Sequence, residues 1–406
     1  MAPADVDAHV TGDQNTIEVS WTPGTGGSTD SYLVQALDES GRALGIAVAT
    51  DTQAQVTVGP PEQRPAITSV EVTALGTAGA SPPATRDVTA PTAPQQLAGP
   101  NRVSTSVAVS RAHWPSASDV LIATGDNYPD ALAAGPLAGS RSAPLLLTQP
   151  DNLSPEVADE LERLFKSIAT PRVTIVGGTA AVSARVEQQL AELATGPAVE
   201  RVAGANRYET AAKVAALAGT PGGHVTVATG RNFPDALAAG AYASTGDRPP
   251  VLLADGDRLP ATSLSAALTI VSGTPDPSAT LLGGSSVLGD AVAEQFQSMG
   301  YTTRRAAGDN RYLTGLEALK SSLADTDDKP RPLIIASGAR FPDALAAGAL
   351  AQHLGGLVLL TPPEGLPAPS LQALEANANR FDRVIGVGGT SVLAPSVLQD
   401  ALDAVS

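Results

Sequence analysis

The heptapeptide PDALAAG occurs three times in this chain, as Pro129–Gly135, Pro234–Gly240 and Pro342–Gly348. The copies start 105 and 108 residues apart, and chance does not place three identical heptapeptides at near-equal spacing. Self-similarity at a fixed period indicates one folding unit in several copies. The period exceeds the roughly 20–50 residues of a solenoid turn, so each copy is long enough to have its own core.

Other short motifs recur around the heptapeptide in a constant order. A Gly-X-Asn-Arg motif and an Ala-Thr/Ser-Gly motif precede it, and an apolar run and a Gly-Gly pair follow it. In the order of the copies these are Gly99–Arg102, Gly204–Arg207 and Gly308–Arg311; Ala123–Gly125, Ala228–Gly230 and Ala336–Gly338; Pro144–Thr148, Pro250–Ala254 and Leu357–Thr361; and Gly177-Gly178, Gly283-Gly284 and Gly388-Gly389. We therefore predict an N-terminal domain (residues 1–92) and repeats A (96–198), B (199–302) and C (303–406).

Repeat B illustrates the secondary structure that we expect of each repeat. Its predicted strands are short and continuously apolar, and they alternate with predicted helices. The strands are His224–Ala228, Val251–Ala254 and Ala279–Leu282; the helices cover Ala211–Ala218, a segment from Asp235, Leu264–Val271 and Ala291–Met299. This alternation is typical of a parallel sheet covered on both faces, so we expect three α/β three-layer domains.

The N-terminal domain has a different pattern. Ile17–Trp21, Tyr32–Gln35 and Val70–Ala74 alternate between apolar and polar residues, with Gly, Pro, Asp and Ser clusters between them. This pattern predicts a small antiparallel β-sandwich. Trp21 followed by Thr-Pro, the middle-strand Tyr32 and the stretch ALGTAGAS resemble a fibronectin type III domain, with Thr68 at the position where that family often has a tyrosine.

Charge and composition exclude several classes of function. The net charge is −16, opposite in sign to that of a general nucleic-acid binder. The first 92 residues contribute 3 basic and 11 acidic residues, half of that excess. There is no cysteine and no apolar stretch long enough to span a membrane. The histidines share no repeat position, and we predict no catalytic residue, no metal site and no cofactor.

The combination of GANRYETA, VATGRNFPDALAAG, VLLAD and LLGGSS resembles the cell-wall-binding repeat 2 family over about residues 96–406. The resemblance implies extracellular proteins that attach non-covalently to the wall of Gram-positive bacteria. It also implies that the three repeats pack as a pseudo-threefold trimer and bind an anionic wall polymer. Because the start of the chain lacks an export signal, we expect such a signal to have been removed.

The Gly-X-Asn-Arg motifs provide the candidate ligand-binding residues. Arg binds phosphate or carboxylate groups through bidentate hydrogen bonds, and each Arg here stands at a predicted helix start, where backbone N–H groups also favour anions. The alternative is a structural Arg that bridges to a neighbouring repeat or to the aspartate of the heptapeptide. The predicted ligand-binding residues are Asn101, Arg102, Asn206, Arg207, Tyr208, Asn310, Arg311, Tyr312 and Arg340.

The repeats are not identical at these positions. Val103 stands where the other copies have Tyr208 and Tyr312, and the first helix is expected to be interrupted near Trp114-Pro115. Arg340 stands where the other copies have Asn127 and Asn232. We therefore expect the first motif to be the weakest site. The heptapeptide aspartates, Asp130, Asp235 and Asp343, are expected to cap their own helices.

The sequence thus favours a non-catalytic cell-wall anchor that binds an anionic wall polymer through three repeats. The N-terminal domain would act as a spacer or contact other surface proteins. Two alternatives stay open. One is a structural or adhesion protein of a bacterial surface layer, and the other is an enzyme acting on carbohydrates or nucleotides, which the lack of a repeated acid/base pair disfavours.

Overall fold

A computed structural model of the chain describes residues 2–10, 16–24, 29–38, 40–58, 67–77, 79–87, 94–126, 130–219, 223–232, 234–242, 249–272, 274–326 and 329–406. Within these ranges no helix is both long enough and apolar enough to cross a bilayer.

The N-terminal region consists of two antiparallel sheets. The first has the order β1-β2-β5, and the second has the order β4-β3-β6-β7 with β8 also paired to β6. The strands are β1 (Ala4–Val10), β2 (Thr16–Thr22), β3 (Ser31–Asp38), β4 (Ala43–Ala49), β5 (Gln53–Thr57), β6 (Ile67–Gly76), β7 (Gly79–Ala80) and β8 (Ala84–Asp87). Their inward side chains form one core, in which Trp21 packs on Tyr32 with ring centroids 5.0 Å apart. The prediction of an all-β N-terminal region is confirmed.

In the described part of the repeats, each copy has a four-stranded parallel sheet. The orders are β11-β10-β12-β13 in repeat A, β15-β14-β16-β17 in repeat B and β19-β18-β20-β9 in repeat C. The strands are β9 (Gln95–Leu97), β10 (Asp119–Thr124), β11 (Leu145–Thr148), β12 (Arg172–Val176), β13 (Ala198–Val202), β14 (His224–Thr229), β15 (Val251–Ala254), β16 (Ser278–Leu282), β17 (Thr302–Ala306), β18 (Arg331–Ser337), β19 (Leu357–Thr361) and β20 (Phe381–Val387). The predicted α/β repeats with parallel sheets are confirmed.

The fourth strand of each sheet comes from the segment that leads into another repeat. Strand β13 directly precedes the Gly-X-Asn-Arg motif of repeat B, and β17 precedes that of repeat C. Strand β9 precedes the motif of repeat A, yet it pairs with β20 of repeat C, with Leu97 opposite Val387. The three sheets are therefore linked in a closed ring, in which residues 95–97 complete the last repeat.

Helices cover the sheets and join the repeats to one another. They are α1 (Arg102–His113), α2 (Ala134–Ser140), α3 (Pro155–Phe165), α4 (Ala184–Ala191), α5 (Arg207–Ala218), α6 (Pro234–Tyr242), α7 (Ala261–Val271), α8 (Asp290–Ser298), α9 (Arg311–Asp325), α10 (Phe341–Leu354), α11 (Ala368–Glu375) and α12 (Pro395–Val405). Contacts between repeats are cyclic, because α2 packs on α5, α6 on α9, and α10 on α1. This is the pseudo-threefold arrangement that the family resemblance implied.

The PDALAAG helices α2, α6 and α10 meet on the pseudo-threefold axis. A Cβ atom added at Gly348 would lie 3.5 Å from the carbonyl oxygen of Gly240, so the backbones approach closely. The space between the three helices is only about 10 Å³, no more than one water molecule requires. Small residues recur in the heptapeptide because larger ones would separate the repeats.

Helix α1 ends at His113 and is as long as α5, at 12 residues. The predicted interruption at Trp114 is therefore an ordinary helix end. Trp114 is buried, stacks on His353 of α10 with ring centroids 4.2 Å apart, and donates a hydrogen bond from Nε1 to the carbonyl of Ser142. The local difference in repeat A therefore serves the contact with repeat C.

Candidate functional site

The Asn of each Gly-X-Asn-Arg motif caps the helix that follows it. In every repeat the Asn Oδ1 accepts hydrogen bonds from the backbone N–H groups two and three residues later, at 2.8–3.1 Å. Asn101, Asn206 and Asn310 are exposed. Asn is among the best residues at this position, and its capping bond fixes the direction in which α1, α5 and α9 begin.

The Arg of each motif ties the helix start to the end of the first strand in the same repeat. Nη1 of Arg102 donates to the carbonyl of Gly125 at 2.6 Å, Arg207 to Gly230 at 2.7 Å, and Arg311 to Gly338 at 3.1 Å. The guanidinium group thus has a structural task at all three sites. In repeat A the Arg102 side chain is nevertheless 38% exposed, so it remains accessible to solvent.

A groove of about 540 Å³ lies between repeats A and B. It stands outside the carboxyl ends of β10 and β12, where the strand order reverses, and this is where open α/β sheets bind ligands. The next repeat supplies the other wall through the first residues of α5. Residues on its walls include Thr124, Asp126, Asp130, Gly178, Asn206 and Arg207. The groove between repeats and the ligand-binding edge of the sheet are therefore the same place.

The Gly-Gly pair on the groove wall is held by residues that the sequence analysis did not single out. Nη1 of Arg201 donates to the carbonyl of Gly177 at 2.8 Å, and Nη1 of Arg305 donates to that of Gly283 at 2.8 Å. Gln96 takes this role in repeat C, where its Nε2 donates to Gly388 at 2.9 Å. Each donor stands six residues before the motif Arg, a constant spacing that was available in the sequence.

Of the heptapeptide aspartates that the structure describes, Asp343 lies in the first turn of its helix as predicted, whereas Asp130 does not cap its helix. Asp130 makes no capping hydrogen bond in the 3₁₀ turn Ala131–Ala133 that it precedes. Asp343 is buried in the first turn of α10, and its carboxylate accepts a hydrogen bond from Thr105 of repeat A. Burial raises the pKa of Asp343 to about 6, against the attraction of Arg102 and Arg340. The Asp235 side chain and residue Asn127 lie outside the described part of the chain.

The aromatic residues of the motif lie at the ends of the strands. The Tyr208 hydroxyl donates to Oδ1 of Asp255 at 3.1 Å, and Arg231 donates to the same oxygen at 2.7 Å. The bond from Arg231 lowers the pKa of Asp255. Tyr312 packs against Gly338, where an added Cβ would lie 2.9 Å from the ring. Repeat A has no such ring, and the Arg102 side chain takes the equivalent space beside Gly125.

Comparison with known proteins places these features in a family. The model of cell wall binding domain 2 matches residues 96–187, 201–293 and 305–398. N-acetylmuramoyl-L-alanine amidase LytC of Bacillus subtilis (strain 168) is 32% identical over 304 residues, 75% of this chain and 57% of that protein. The amidase enhancer of the same organism is 28% identical over 309 residues, 76% of this chain and 40% of that protein. The chain thus spans about half the length of these curated relatives.

Two solved structures share the fold. Cwp6 from Clostridium difficile has a TM-score of 0.68 at 20% identity, covering 99% of this chain and 68% of that one. Cwp8 from Clostridium difficile has a TM-score of 0.67 at 21% identity, covering 86% of this chain and 60% of that one.

Proposed function

Because the chain belongs to the cell wall binding domain 2 family, its repeats form a non-covalent cell-wall anchor, and we propose that they hold an anionic wall polymer in the grooves between repeats. The observation that carries the proposal is the groove between repeats A and B, of about 540 Å³, with Arg207 and the start of α5 on its wall. A groove at a sheet switch point that also receives a helix N-terminus is suited to an anionic group.

Local donors have to supply the attraction, because the chain itself carries a net charge of −16. We propose that the donors are the motif residues, Asn101, Arg102, Asn206, Arg207, Asn310 and Arg311, with Tyr208, Tyr312 and Arg340 beside them. One Nη of each motif Arg is used within its own repeat, which fixes the guanidinium in place before any ligand arrives. Weak sites in three copies on one chain would strengthen attachment through avidity.

We also propose limits for the domains and a role for the N-terminal region. We take residues 1–92 as one domain and residues 96–198, 199–302 and 303–406 as the sequence repeats. The N-terminal strand orders, β1-β2-β5 and β4-β3-β6-β7, support a sandwich of the fibronectin type III kind. Its role would be that of a spacer or a contact for other surface proteins at the outer cell surface.

We further propose that the chain is not itself catalytic. Asp343 is engaged by Thr105, and Asp255 is engaged by Tyr208 and Arg231, so these carboxylates serve as hydrogen-bond partners. The match to the amidase covers only 57% of that protein, so we do not assign its activity to this chain. Incubation with purified walls should release no soluble peptide or sugar, whereas a steady release would contradict this part of the proposal.

Co-sedimentation with purified Gram-positive walls tests the anchor directly. We expect the chain to pellet with walls and to be released by high salt. Chemical removal of anionic polymers from the walls should abolish retention, and walls that have been mock-treated are the matched control. Equal retention by stripped and mock-treated walls would contradict an anionic ligand, and no retention by either would contradict the anchor.

A further inference from the structure

The groove between repeats A and B presents charges of both signs. Its walls carry Arg207 at the start of α5, and also the carboxylates of Asp126 and Asp130. A carboxylate repels a phosphate or another carboxylate, so a groove for a purely anionic group is expected to contain donors alone. The two acids therefore require a partner that the anion of the polymer does not supply.

Asp130 lacks the hydrogen bond that its counterpart in repeat C has. Asp343 of repeat C accepts a hydrogen bond from Thr105 of repeat A. The residue equivalent to Thr105 in repeat B is Thr210, and its hydroxyl donates instead to the carbonyl of Asn206 at 3.2 Å. Asp130 is half-buried and makes no ion pair with any residue that the structure describes. Its carboxylate is therefore available to a cation in the groove.

Asp126 adds a second carboxylate, which is held only loosely. Nη1 of Arg102 lies 3.6 Å away, and the Asp126 side chain is 62% exposed. Exposed ion pairs of this kind contribute little because water screens them. Arg231 stands at this position in repeat B and Ala339 in repeat C. The acid at this position is thus a feature of repeat A.

The basic residue behind the groove does not offset these acids. Arg201 binds the Gly-Gly turn, but its charge is matched by Glu187 at 2.7 Å. Arg207 is the basic side chain among the described residues on the groove walls. One guanidinium group from repeat B and one half-buried carboxylate from repeat A thus share a space of about 540 Å³, which is large enough for a small ligand unit.

We propose that this groove binds a zwitterionic unit of the wall polymer, in which an ammonium group accompanies the phosphate or carboxylate. The anion contacts Arg207 and the start of α5, and the ammonium group contacts Asp130, with Asp126 beside it. The inference rests on the proposed function and goes further by naming the cation that the ligand carries. An aminoacyl ester and an amino sugar with a free amine both supply such a group, and a carboxylate accepts charge-assisted hydrogen bonds from either.

Two probes that differ only in the ammonium group test this inference. One is a glycerol-phosphate oligomer that carries alanyl esters, and the other is the same oligomer without them. Ala180, Ala181 and Ala205 line the groove, so the methyl signals of the alanine-labelled whole chain report binding at this groove. The test variants are Asp130→Asn and Asp126→Asn. The matched control is Asp159→Asn, which removes the same charge from an exposed position of α3.

We expect Asp130→Asn to weaken binding of the esterified oligomer on the order of ten-fold, as for loss of a hydrogen bond between charged groups. The same variant should bind the plain oligomer at least as tightly as the parent chain, because a like charge has been removed. Asp126→Asn should show the same pattern with a smaller change, since its carboxylate is more exposed. Asp159→Asn should change the binding of neither oligomer.

Treated walls separate the two sources of the ammonium group. Mild alkali hydrolyses aminoacyl esters, whereas acetic anhydride acetylates the amines of both sources. Weaker retention after alkali identifies the ester, and weaker retention only after acetylation identifies the amino sugar. Asp130→Asn should respond less to the effective treatment than Asp159→Asn, which has the same net charge. An equal response of the two variants would contradict a contact between Asp130 and the ammonium group.

Equal binding of the two oligomers at the groove, or binding of neither, would overturn the inference. A gain in affinity for both oligomers in Asp130→Asn would overturn it as well, since the groove would then hold an anion alone. Retention on untreated walls distinguishes these outcomes from failure of the proposed function. A chain that still pellets leaves the anchor standing and removes only the ammonium group.

Discussion

The substitution Asp343→Asn tests the electrostatics of a buried carboxylate, which lies in the first turn of α10 and contacts Thr105 of repeat A. The Asp343 side chain is 8% exposed, and its burial raises the pKa from 3.8 to about 6. Because folding raises the pKa, the native state binds the proton more tightly than the unfolded state. The stabilising contribution of this residue is therefore complete below pH 3.8 and is lost as the pH rises through about 6.

The size of the effect follows from the shift. A change from 3.8 to about 6, at about 1.4 kcal/mol for each pKa unit, means that the ionised carboxylate costs on the order of 3 kcal/mol. Asn does not ionise, and its side-chain oxygen still accepts the hydrogen bond from Thr105. We expect Asp343→Asn to raise the Tm of the repeats by about 5 °C at about pH 7.5, and by a small fraction of that at about pH 4.

Differential scanning calorimetry at the two pH values measures this difference. Thr105→Val supplies a second arm, because it removes the hydroxyl that lowers the pKa of Asp343. In the parent chain, Thr105→Val should make the loss of stability between about pH 4 and about pH 7.5 larger. In the Asp343→Asn chain, Thr105→Val should have no such pH-dependent effect. An Asn variant less stable than the parent near neutral pH would refute the reasoning, since Arg102 and Arg340 would then outweigh burial.

Three further substitutions test the architecture by calorimetry. Gln96→Ala removes two hydrogen bonds from Nε2, to Gly388 at 2.9 Å and Leu393 at 3.1 Å, and should destabilise the repeats by about 1–3 kcal/mol; an unchanged Tm would argue against ring closure. Gly240→Val adds two methyl groups beyond a Cβ that would already lie 3.7 Å from the carbonyl oxygen of Leu132, so it should destabilise the repeats by about 1–3 kcal/mol through overpacking; an unchanged Tm would contradict the close approach of the helices. Asn206→Ala should cost about 1 kcal/mol through the lost cap, and no cost would mean that the cap is dispensable.

The strands and helices of the repeat could be predicted from the sequence because its strands are buried on both faces. The predicted strands of repeat B, from His224, Val251 and Ala279, are all present, as are its four predicted helices. A strand of this kind is apolar at every position. Its pattern is therefore not mistaken for that of a surface helix, in which polar and apolar residues recur periodically. The Asn-Arg helix starts were also predicted, because an Asn before an amphipathic pattern is a local signal.

The fourth strand of each sheet could not be predicted in the same way. Strand β13 reads Ala-Val-Glu-Arg-Val and lies at the edge of its sheet, so charged residues interrupt the apolar pattern. Its partner lies in another sequence repeat, and β9 pairs with a strand 290 residues later, as Leu97 does with Val387. Periodicity reports which face of a strand is buried, but it contains no information about a distant partner.

The roles of the polar residues were only partly visible for a related reason. The sequence placed Asp343 in the first turn of a helix, where the structure has it, but the partner Thr105 belongs to another repeat. Arg201 and Arg305 keep a constant spacing to the motif Arg, yet their target is a backbone carbonyl. A carbonyl group is present at every residue, so the sequence does not mark which one is bound.

A crystal structure of the chain with a short fragment of the wall polymer tests the central claim most directly. We expect the fragment to lie in the grooves between repeats, with its anionic group against the motif Arg side chains. A fragment bound to the N-terminal sheets or to the outer helices, with all grooves empty, would contradict it.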